Sequence, residues 1–122
     1  MRRIIIAGTR TYTNYEQLCK TMETFAPFSD TEIVSGHAAG ADTLGEQFAK
    51  EHGIPIRLFP ADWSLGRKAG PLRNATMAEY ARKADVGILV AFWDGESRGT
   101  LSMIREAKRC GLKTHIVMIG GD

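Results

Sequence analysis

Residues 86–92 read Val-Gly-Ile-Leu-Val-Ala-Phe, the most apolar run in this chain of 122 residues. A continuous apolar run of this length is typical of a strand that is buried on both faces of a parallel sheet. The same pattern occurs in residues 4–7, Ile-Ile-Ile-Ala, directly before Gly8. We therefore predict that these two runs are central strands of one parallel sheet.

Segments with a helical spacing of apolar residues separate the predicted strands. Tyr15, Leu18 and Met22 mark one face of a first helix, and Asn14 suits its N-cap. Pro71 fits the first turn of a third helix, because its missing N–H costs nothing there. The other strands are predicted at residues 32–35, 54–58 and 114–119, and the other helices run through residues 41–48 and 101–107, with residues 59–69 irregular.

The alternation of strands and helices predicts an α/β fold with right-handed crossovers. We expect a single Rossmann-like domain over residues 1–122, with a five-stranded parallel sheet in the order 3-2-1-4-5 and helices on both faces. Pro55 removes a ladder donor from the third strand, which favours an edge position. In this order the first and fourth strands lie side by side, and open α/β sheets bind ligands where the exit loops of such strands part.

Composition restricts the classes of function. Hydrophobic residues make up 43% of the chain and charged residues 25%, as is ordinary for a globular domain, while the formal net charge of +2 disfavours a dedicated nucleic-acid binder. No apolar run approaches the ~20 residues that cross a bilayer, and the N-terminal run is too short for a secretory signal. We therefore expect a cytoplasmic protein without membrane attachment. The histidines, Cys19 and Cys110 are too far apart in the sequence to form a cluster of metal ligands. We therefore expect free thiols, no metal site and no cofactor.

The loop after the first strand reads Gly8-Thr9-Arg10. Glycine lets a ligand approach the backbone, threonine offers a hydroxyl, and arginine offers a planar fork that suits phosphate or carboxylate. The alternative is a turn glycine followed by a solvated arginine, and this loop by itself does not decide between the two.

The loop after the second strand reads Ser35-Gly36-His37-Ala38-Ala39-Gly40-Ala41-Asp42. Small residues at the start of a helix leave backbone N–H groups open to an anion, and the helix dipole favours negative charge there. Asp42 either complements this dipole or binds the ligand, for example at a ribose hydroxyl. We interpret His37 as a loop residue rather than a catalyst, because no partner carboxylate is evident in the sequence.

The loop after the fourth strand reads Trp93-Asp94-Gly95-Glu96-Ser97-Arg98-Gly99-Thr100. Ser97, the Gly99 backbone and the Thr100 hydroxyl suit either a phosphate cradle at the start of the fourth helix or a simple helix cap. The loop lacks the Gly-Lys-Ser/Thr ending of a Walker A motif.

Further candidate residues are aromatic or lie at the start of the third helix. Asp62 and Trp63 follow the third strand, where the indole suits either stacking on a base or a core position under a long loop. Trp93 is a second candidate for stacking. Arg73 and Asn74 fall in the first turn of the third helix, where they either face the crevice or are solvated.

These segments occur together in one order along almost the whole chain, about residues 3 to 118. From the N-terminus they read Gly-Thr-Arg, Ser-Gly-His-Ala-Ala-Gly-Ala-Asp, Pro-Ala-Asp-Trp, Ala-Gly-Pro-Leu-Arg-Asn-Ala-Thr-Met, Ala-Phe-Trp and Ser-Arg-Gly-Thr. The combined pattern resembles the YspA/cpYpsA-related branch of the SLOG superfamily, which also contains the DprA DNA-processing proteins and the LOG phosphoribohydrolases. Members of this branch occur in bacteria and their phages. The resemblance implies a Rossmann-like fold and a site for a nucleotide or a nucleotide-derived ligand.

The LOG motifs can be compared with this chain residue by residue. Arg73 aligns with the arginine of the LOG helix-three motif, with Met77 following at the matching position, so the resemblance implies that Arg73 faces a ligand. The LOG motif Pro-Gly-Gly-x-Gly-Thr-x-x-Glu keeps Gly99-Thr100 here but has Met103 in the place of its glutamate. The comparison therefore supports phosphate binding more strongly than it supports hydrolysis.

Three functions are compatible with the sequence. The leading hypothesis is binding of a nucleotide or nucleotide-derived ligand at the C-terminal edge of the sheet, by a sensor or sequestering protein. The second is a nucleotide-processing enzyme, such as one that hydrolyses an N-glycosidic bond, with Glu96 or Asp42 as the carboxylate. The third is DprA-like binding of single-stranded DNA, which the small net charge disfavours. The sequence leaves open the identity of the ligand, its turnover and the oligomeric state, a homo-oligomer included.

Overall fold

Strands and helices alternate through residues 1–120, the part of the chain that this computed structural model describes. The strands are β1 (Arg2–Gly8), β2 (Thr31–Ser35), β3 (Ile56–Leu58), β4 (Val86–Trp93) and β5 (Lys113–Met118). The helices are α1 (Tyr15–Glu23), α2 (Ala41–Glu51), α3 (Ala69–Arg82) and α4 (Arg98–Arg109), with a 3₁₀-helix at Trp63–Lys68. Within residues 1–120, no helix is long and apolar enough to cross a membrane.

The sheet is parallel throughout and has the order β3-β2-β1-β4-β5, which confirms the predicted fold class and topology. The apolar runs of β1 and β4 pair at its centre, where helices cover both faces. Ile4 and Ile6 point into a core cluster that α1 and α2 complete. Ile5 and Leu89 point into a second cluster on the opposite face, against α3 and α4. Each central strand is therefore apolar at successive residues.

Capping residues set several of the element boundaries. The side chain of Asn14 accepts a hydrogen bond of 3.0 Å from the first turn of α1, which confirms the predicted N-cap. Gly53, with φ of 66°, follows the C-cap of α2, where a glycine in the left-handed region commonly ends a helix. The predicted irregular stretch at residues 59–69 is wrong in part, because Trp63–Lys68 form the 3₁₀-helix. Asp62 caps this helix by accepting a backbone N–H at 3.1 Å.

Helix α2 packs closely on β1 at Gly45. A Cβ atom at this position would lie 2.7 Å from Cγ2 of Ile6, a fully buried side chain in the middle of the sheet. The glycine therefore sets how near α2 lies to the sheet, and with it the position of the loop that precedes the helix.

We expect Gly45→Ala to destabilise the protein, because the added methyl overlaps Ile6. Overpacking of a core costs about 1–3 kcal/mol, from which the better helix propensity of alanine recovers about 1 kcal/mol. Gly70→Ala is a matched control, since a Cβ there makes only an ordinary contact of 3.7 Å with Trp63 near the start of α3. Urea denaturation should show a loss for Gly45→Ala and no loss for Gly70→Ala, and equal effects would contradict the close packing.

Candidate functional site

The carboxyl ends of β1 and β4 open into a cavity of about 140 Å³, called here the inner cavity. The β1 backbone forms part of its wall at Gly8, where a Cβ atom would overlap the carbonyl oxygen of Phe92. Met103, the residue at the position of the LOG glutamate, also lines this cavity and is buried. Eight of the residues predicted from the sequence line it: Gly8, Arg10, Asp42, Arg73, Asn74, Ser97, Gly99 and Thr100.

Arg73 points into the crevice rather than into solvent. Its Nη1 donates a hydrogen bond of 2.6 Å to the Gly36 carbonyl, and its Nε donates to Oδ1 of Asn74 at 2.9 Å. Burial lowers the pKa of Arg73, and the nearby Arg10 adds to this effect, whereas Asp42 opposes it. A Cβ at Gly36 would lie 2.6 Å from Nη1 of Arg73, so a larger residue there would displace the guanidinium from this position.

The start of α4 is supported from α3 and stays open on the cavity side. Buried Asn74 donates hydrogen bonds to the Gly99 carbonyl at 3.3 Å and to Oγ of Ser102 at 3.2 Å. Oγ of Ser97 caps the helix by accepting the Thr100 N–H at 3.3 Å. Gly99 is exposed, and a Cβ on it would meet no atom within 4 Å, so the space beside this residue is open. The N-terminal end of the helix dipole thus borders the inner cavity.

Asp42 is a buried acid in the wall of the inner cavity, with 5% of its surface exposed. Burial raises its pKa to about 6, and Glu46 contributes in the same direction. The backbone N–H of Ala38, which donates to Oδ2 at 3.2 Å, and the charges of Arg73 and Arg10 act the other way. Near neutral pH this carboxyl can therefore take up or release a proton.

His37 has a partner carboxylate, so the contrary inference from the sequence is wrong. Its Nδ1 lies 3.0 Å from Oε2 of the buried Glu46, and the Ser35 hydroxyl donates to the same oxygen at 2.7 Å. The His37 backbone lies in the left-handed region, with φ of 59°, and its N–H donates to Oγ of Ser35 at 3.1 Å. Since an ionised carboxylate only accepts, Nδ1 carries the proton of this pair and Nε2 remains for another partner.

A second cavity of about 350 Å³, called here the outer cavity, adjoins the inner one. Arg10, Ala38 and Arg73 line both of them. Trp63 forms part of its wall and is 57% exposed, with the Arg10 guanidinium 5.5 Å from the centre of its ring. Pro60 and Ala61, also in its wall, are additions to the predicted set. The predicted residues that line the outer cavity are Arg10, Gly36, His37, Trp63 and Arg73.

Two predicted residues border a different space. Thr9 and Glu96 line a third, polar cavity of about 750 Å³ together with Asp94. The Thr9 hydroxyl accepts the backbone N–H of Asp94 at 3.2 Å and so ties the two exit loops together. Of the two candidate catalytic carboxylates, Asp42 therefore lines the inner cavity, whereas Glu96 lines only the third.

Four predicted residues line none of these three cavities, namely Ser35, Gly40, Asp62 and Trp93. They instead hold the loops in place. Gly40, with φ of 77°, passes so close to the loop after β1 that a Cβ would overlap the Arg10 carbonyl oxygen. Trp93 packs against the core, and its indole N–H donates to the Ser97 carbonyl at 3.0 Å.

Comparison with known proteins places this arrangement in a family. A model of the YspA, cpYpsA-related SLOG family matches residues 2–66, which include the loops after β1 and β2. Gene 61 protein of Mycobacterium phage D29 is 33% identical over 92% of this chain and 93% of its own length. The chain belongs to the YspA, cpYpsA-related SLOG family. The resemblance predicted from the loop motifs is therefore confirmed.

This SLOG chain also shares its fold with two solved structures. DNA processing protein A (DprA) from Streptococcus pneumoniae superposes with a TM-score of 0.73 at 16% identity, over 94% of the SLOG chain and 49% of DprA. The SLOG chain thus spans about half of that structure. TM1055, a structural genomics target, gives a TM-score of 0.65 at 19% identity, over 93% of the SLOG chain and 72% of TM1055. At these identities the likeness concerns the fold alone.

We expect Asp42→Asn to stabilise the SLOG chain at pH 7.5. The pKa of Asp42 rises from its ordinary 3.8 to about 6 on folding, so its share of stability is complete below about pH 4 and is lost as the pH rises through about 6. This rise corresponds to at most about 3 kcal/mol. Asparagine keeps an acceptor for the Ala38 N–H and buries no charge.

Urea denaturation at two pH values checks this expectation. The variant should be more stable than the natural chain at pH 7.5, and the difference should shrink towards pH 4. A gain of the same size at both pH values would show that ionisation of Asp42 is not what costs stability.

Proposed function

We propose that this SLOG chain binds a nucleotide or a nucleotide-derived ligand at the C-terminal edge of its sheet, with a phosphate group in the inner cavity. The observation that carries the proposal is the placement of Arg73. Its guanidinium is half-buried, is fixed by the Gly36 carbonyl and Asn74, and borders the inner cavity beside Arg10. A planar, charged donor held in this way suits a phosphate oxygen pair.

The surroundings of Arg73 support an anion rather than a neutral group. Arg10 and Arg73 supply two positive charges to the wall of the inner cavity, against the single acid Asp42 in the same wall. The exposed Gly99 at the start of α4 adds the positive end of the helix dipole. These features converge where the exit loops of β1 and β4 part, the usual binding place in such sheets.

The size of the cavity favours a phosphate group over a whole nucleotide. Its volume of about 140 Å³ lies below the about 300–1,000 Å³ that is usual for pockets of drug-sized ligands. The small net charge of +2 favours a small ligand over a polyanion, although DprA, which shares the fold, is a DNA processing protein. Membership of the SLOG family supports the same choice of ligand.

We expect Arg73→Ala to weaken binding of AMP by roughly tenfold or more, because a charge-assisted hydrogen bond contributes about 1.5–3 kcal/mol. Titration calorimetry with AMP, and with ADP-ribose and NAD as larger probes, measures this loss. Arg82→Ala is the matched control, since Arg82 is exposed at the other end of the same helix. Equal affinities of the Arg73→Ala and Arg82→Ala variants would remove Arg73 from the site.

Hydrolysis of an N-glycosidic bond is a second candidate function, and the position of Asp42 favours it. Such a reaction develops positive charge on the ribose and needs a water molecule to be deprotonated, and a nearby carboxylate serves both needs. Met103 provides no charge at the position of the LOG glutamate. Asp42 lines the same cavity, and its pKa of about 6 suits a general base near neutral pH.

Incubation with AMP, followed by chromatography of the released base, separates the two functions. The binding function predicts no multiple turnover. Hydrolysis through Asp42 predicts multiple turnover that Asp42→Asn abolishes and Glu96→Gln preserves, because Glu96 borders the third cavity instead. Turnover that persists in Asp42→Asn would exclude Asp42 as the base.

A further inference from the structure

We propose that the outer cavity is a base-binding subsite, in which an aromatic base stacks on Trp63 while the phosphate of the same nucleotide lies in the inner cavity. This inference rests on the proposed function, since it assigns the other end of the same ligand. The class of ligand it names is a nucleoside monophosphate, with one planar base and one phosphate group.

The two cavities are placed to hold one ligand. Arg10, Ala38 and Arg73 form part of both walls, so the two cavities are neighbours and the proposed ligand would extend past these side chains. The outer cavity, at about 350 Å³, is the larger of the two. A group too large for the inner cavity therefore has adjoining space on the Trp63 side.

The exposure of Trp63 has no explanation in core packing. The 3₁₀-helix that carries it contains no buried residue, and 57% of the tryptophan surface is accessible. The ring lies close to two other segments: a Cβ on Gly70 would be 3.7 Å from its Cη2, and the Arg10 guanidinium is 5.5 Å from its centre. An indole with accessible surface beside a cavity is a suitable stacking platform for a base, because every base presents a π-face.

The wall of the outer cavity also contains a polar group. His37 lines it and is held through Nδ1 by Glu46, which leaves Nε2 as the ring nitrogen available to a ligand. This arrangement requires a left-handed backbone at a residue other than glycine and a buried carboxylate, both of which are unfavourable in isolation. Unfavourable features of this kind concentrate at binding sites. An indole face and a polar nitrogen in one cavity match the face and the edge of a base.

The test compares AMP with ribose 5-phosphate, which has the same phosphate and sugar but no base. Titration calorimetry is performed on the natural chain, on Trp63→Ala and on Trp63→Phe. Trp63 lies outside both core clusters, so its replacement leaves the core intact. For the natural chain we expect AMP to bind roughly tenfold or more tightly than ribose 5-phosphate, which is the usual contribution of one base stacked on an aromatic ring.

The variants decide whether the indole is responsible. Trp63→Ala should reduce the affinity for AMP to that for ribose 5-phosphate and leave the latter unchanged, while Trp63→Phe should keep most of the preference for AMP. Equal binding of AMP and ribose 5-phosphate by the natural chain would overturn the subsite. The subsite would also be contradicted if Trp63→Ala kept the preference for AMP, or if Trp63→Phe lost that preference as fully as Trp63→Ala does. A third contradicting result would be that Trp63→Ala weakens the binding of both AMP and ribose 5-phosphate.

These outcomes are distinct from failure of the proposed function. If both ligands bind with equal affinity and Arg73→Ala weakens both, phosphate binding stands and the base subsite fails. If neither ligand binds the natural chain, the base subsite and the proposed binding of a nucleoside monophosphate are both contradicted.

Discussion

The pairing of β1 with β4 at their carboxyl ends is the constraint on which the site depends. Gly8 lies opposite Phe92 so closely that only glycine fits, and the N–H of Thr9 continues the pairing by donating to the Phe92 carbonyl at 2.9 Å. The Thr9 hydroxyl then accepts the backbone N–H of Asp94, just after β4 ends. Beyond these bonds the two strands separate, because β1 leads into α1 and β4 leads into α4. The inner cavity is the space that this separation leaves, so its position follows from the strand order.

The polar residues around this space form a network in which buried groups have partners. Among residues 1–120, no buried side-chain nitrogen or oxygen lacks a hydrogen bond. The Glu46 carboxylate forms hydrogen bonds with Ser35 and His37. Asp42 accepts the N–H of Ala38. Asn74 accepts from Arg73 and donates to the Gly99 carbonyl at the start of α4. Loss of one hydrogen-bond partner would leave a buried polar group unpaired and would lower stability by about 1–3 kcal/mol. The contacts of the network therefore keep one another's side chains in position. Side chains held in this way would lose little freedom on binding the proposed ligand.

Sequence periodicity predicts the strands because both central runs are continuously apolar, and the crossover rule then brings the three loops to one edge. The network around His37 is beyond this reasoning, because Glu46 is nine residues away and only the turn of α2 returns it to the loop. One feature of the sequence does point to it: Asp42 and Glu46 are four residues apart, on the face of α2 that also carries core-facing Gly45. The sequence leaves open whether Trp93 stacks on a base, and the hydrogen bond from its indole N–H to the Ser97 carbonyl disfavours that role. Composition does not predict local bonds of this kind, because they depend on the fold.

Met103, which the motif comparison in the sequence aligns with the LOG glutamate, brings no negative charge to the inner cavity. The lining of that cavity then contains two arginines, Arg10 and Arg73, and one acid, Asp42. A phosphate bound beside Asp42 would add negative charge and exclude water, and both effects would raise its pKa further above its present value of about 6. The proposed binding would thereby be linked to proton uptake by Asp42. A protonated carboxyl can donate a hydrogen bond to a ribose or phosphate oxygen, but it cannot deprotonate water. The ligand itself would thus move Asp42 away from the state that hydrolysis requires, which favours binding over turnover in this cavity.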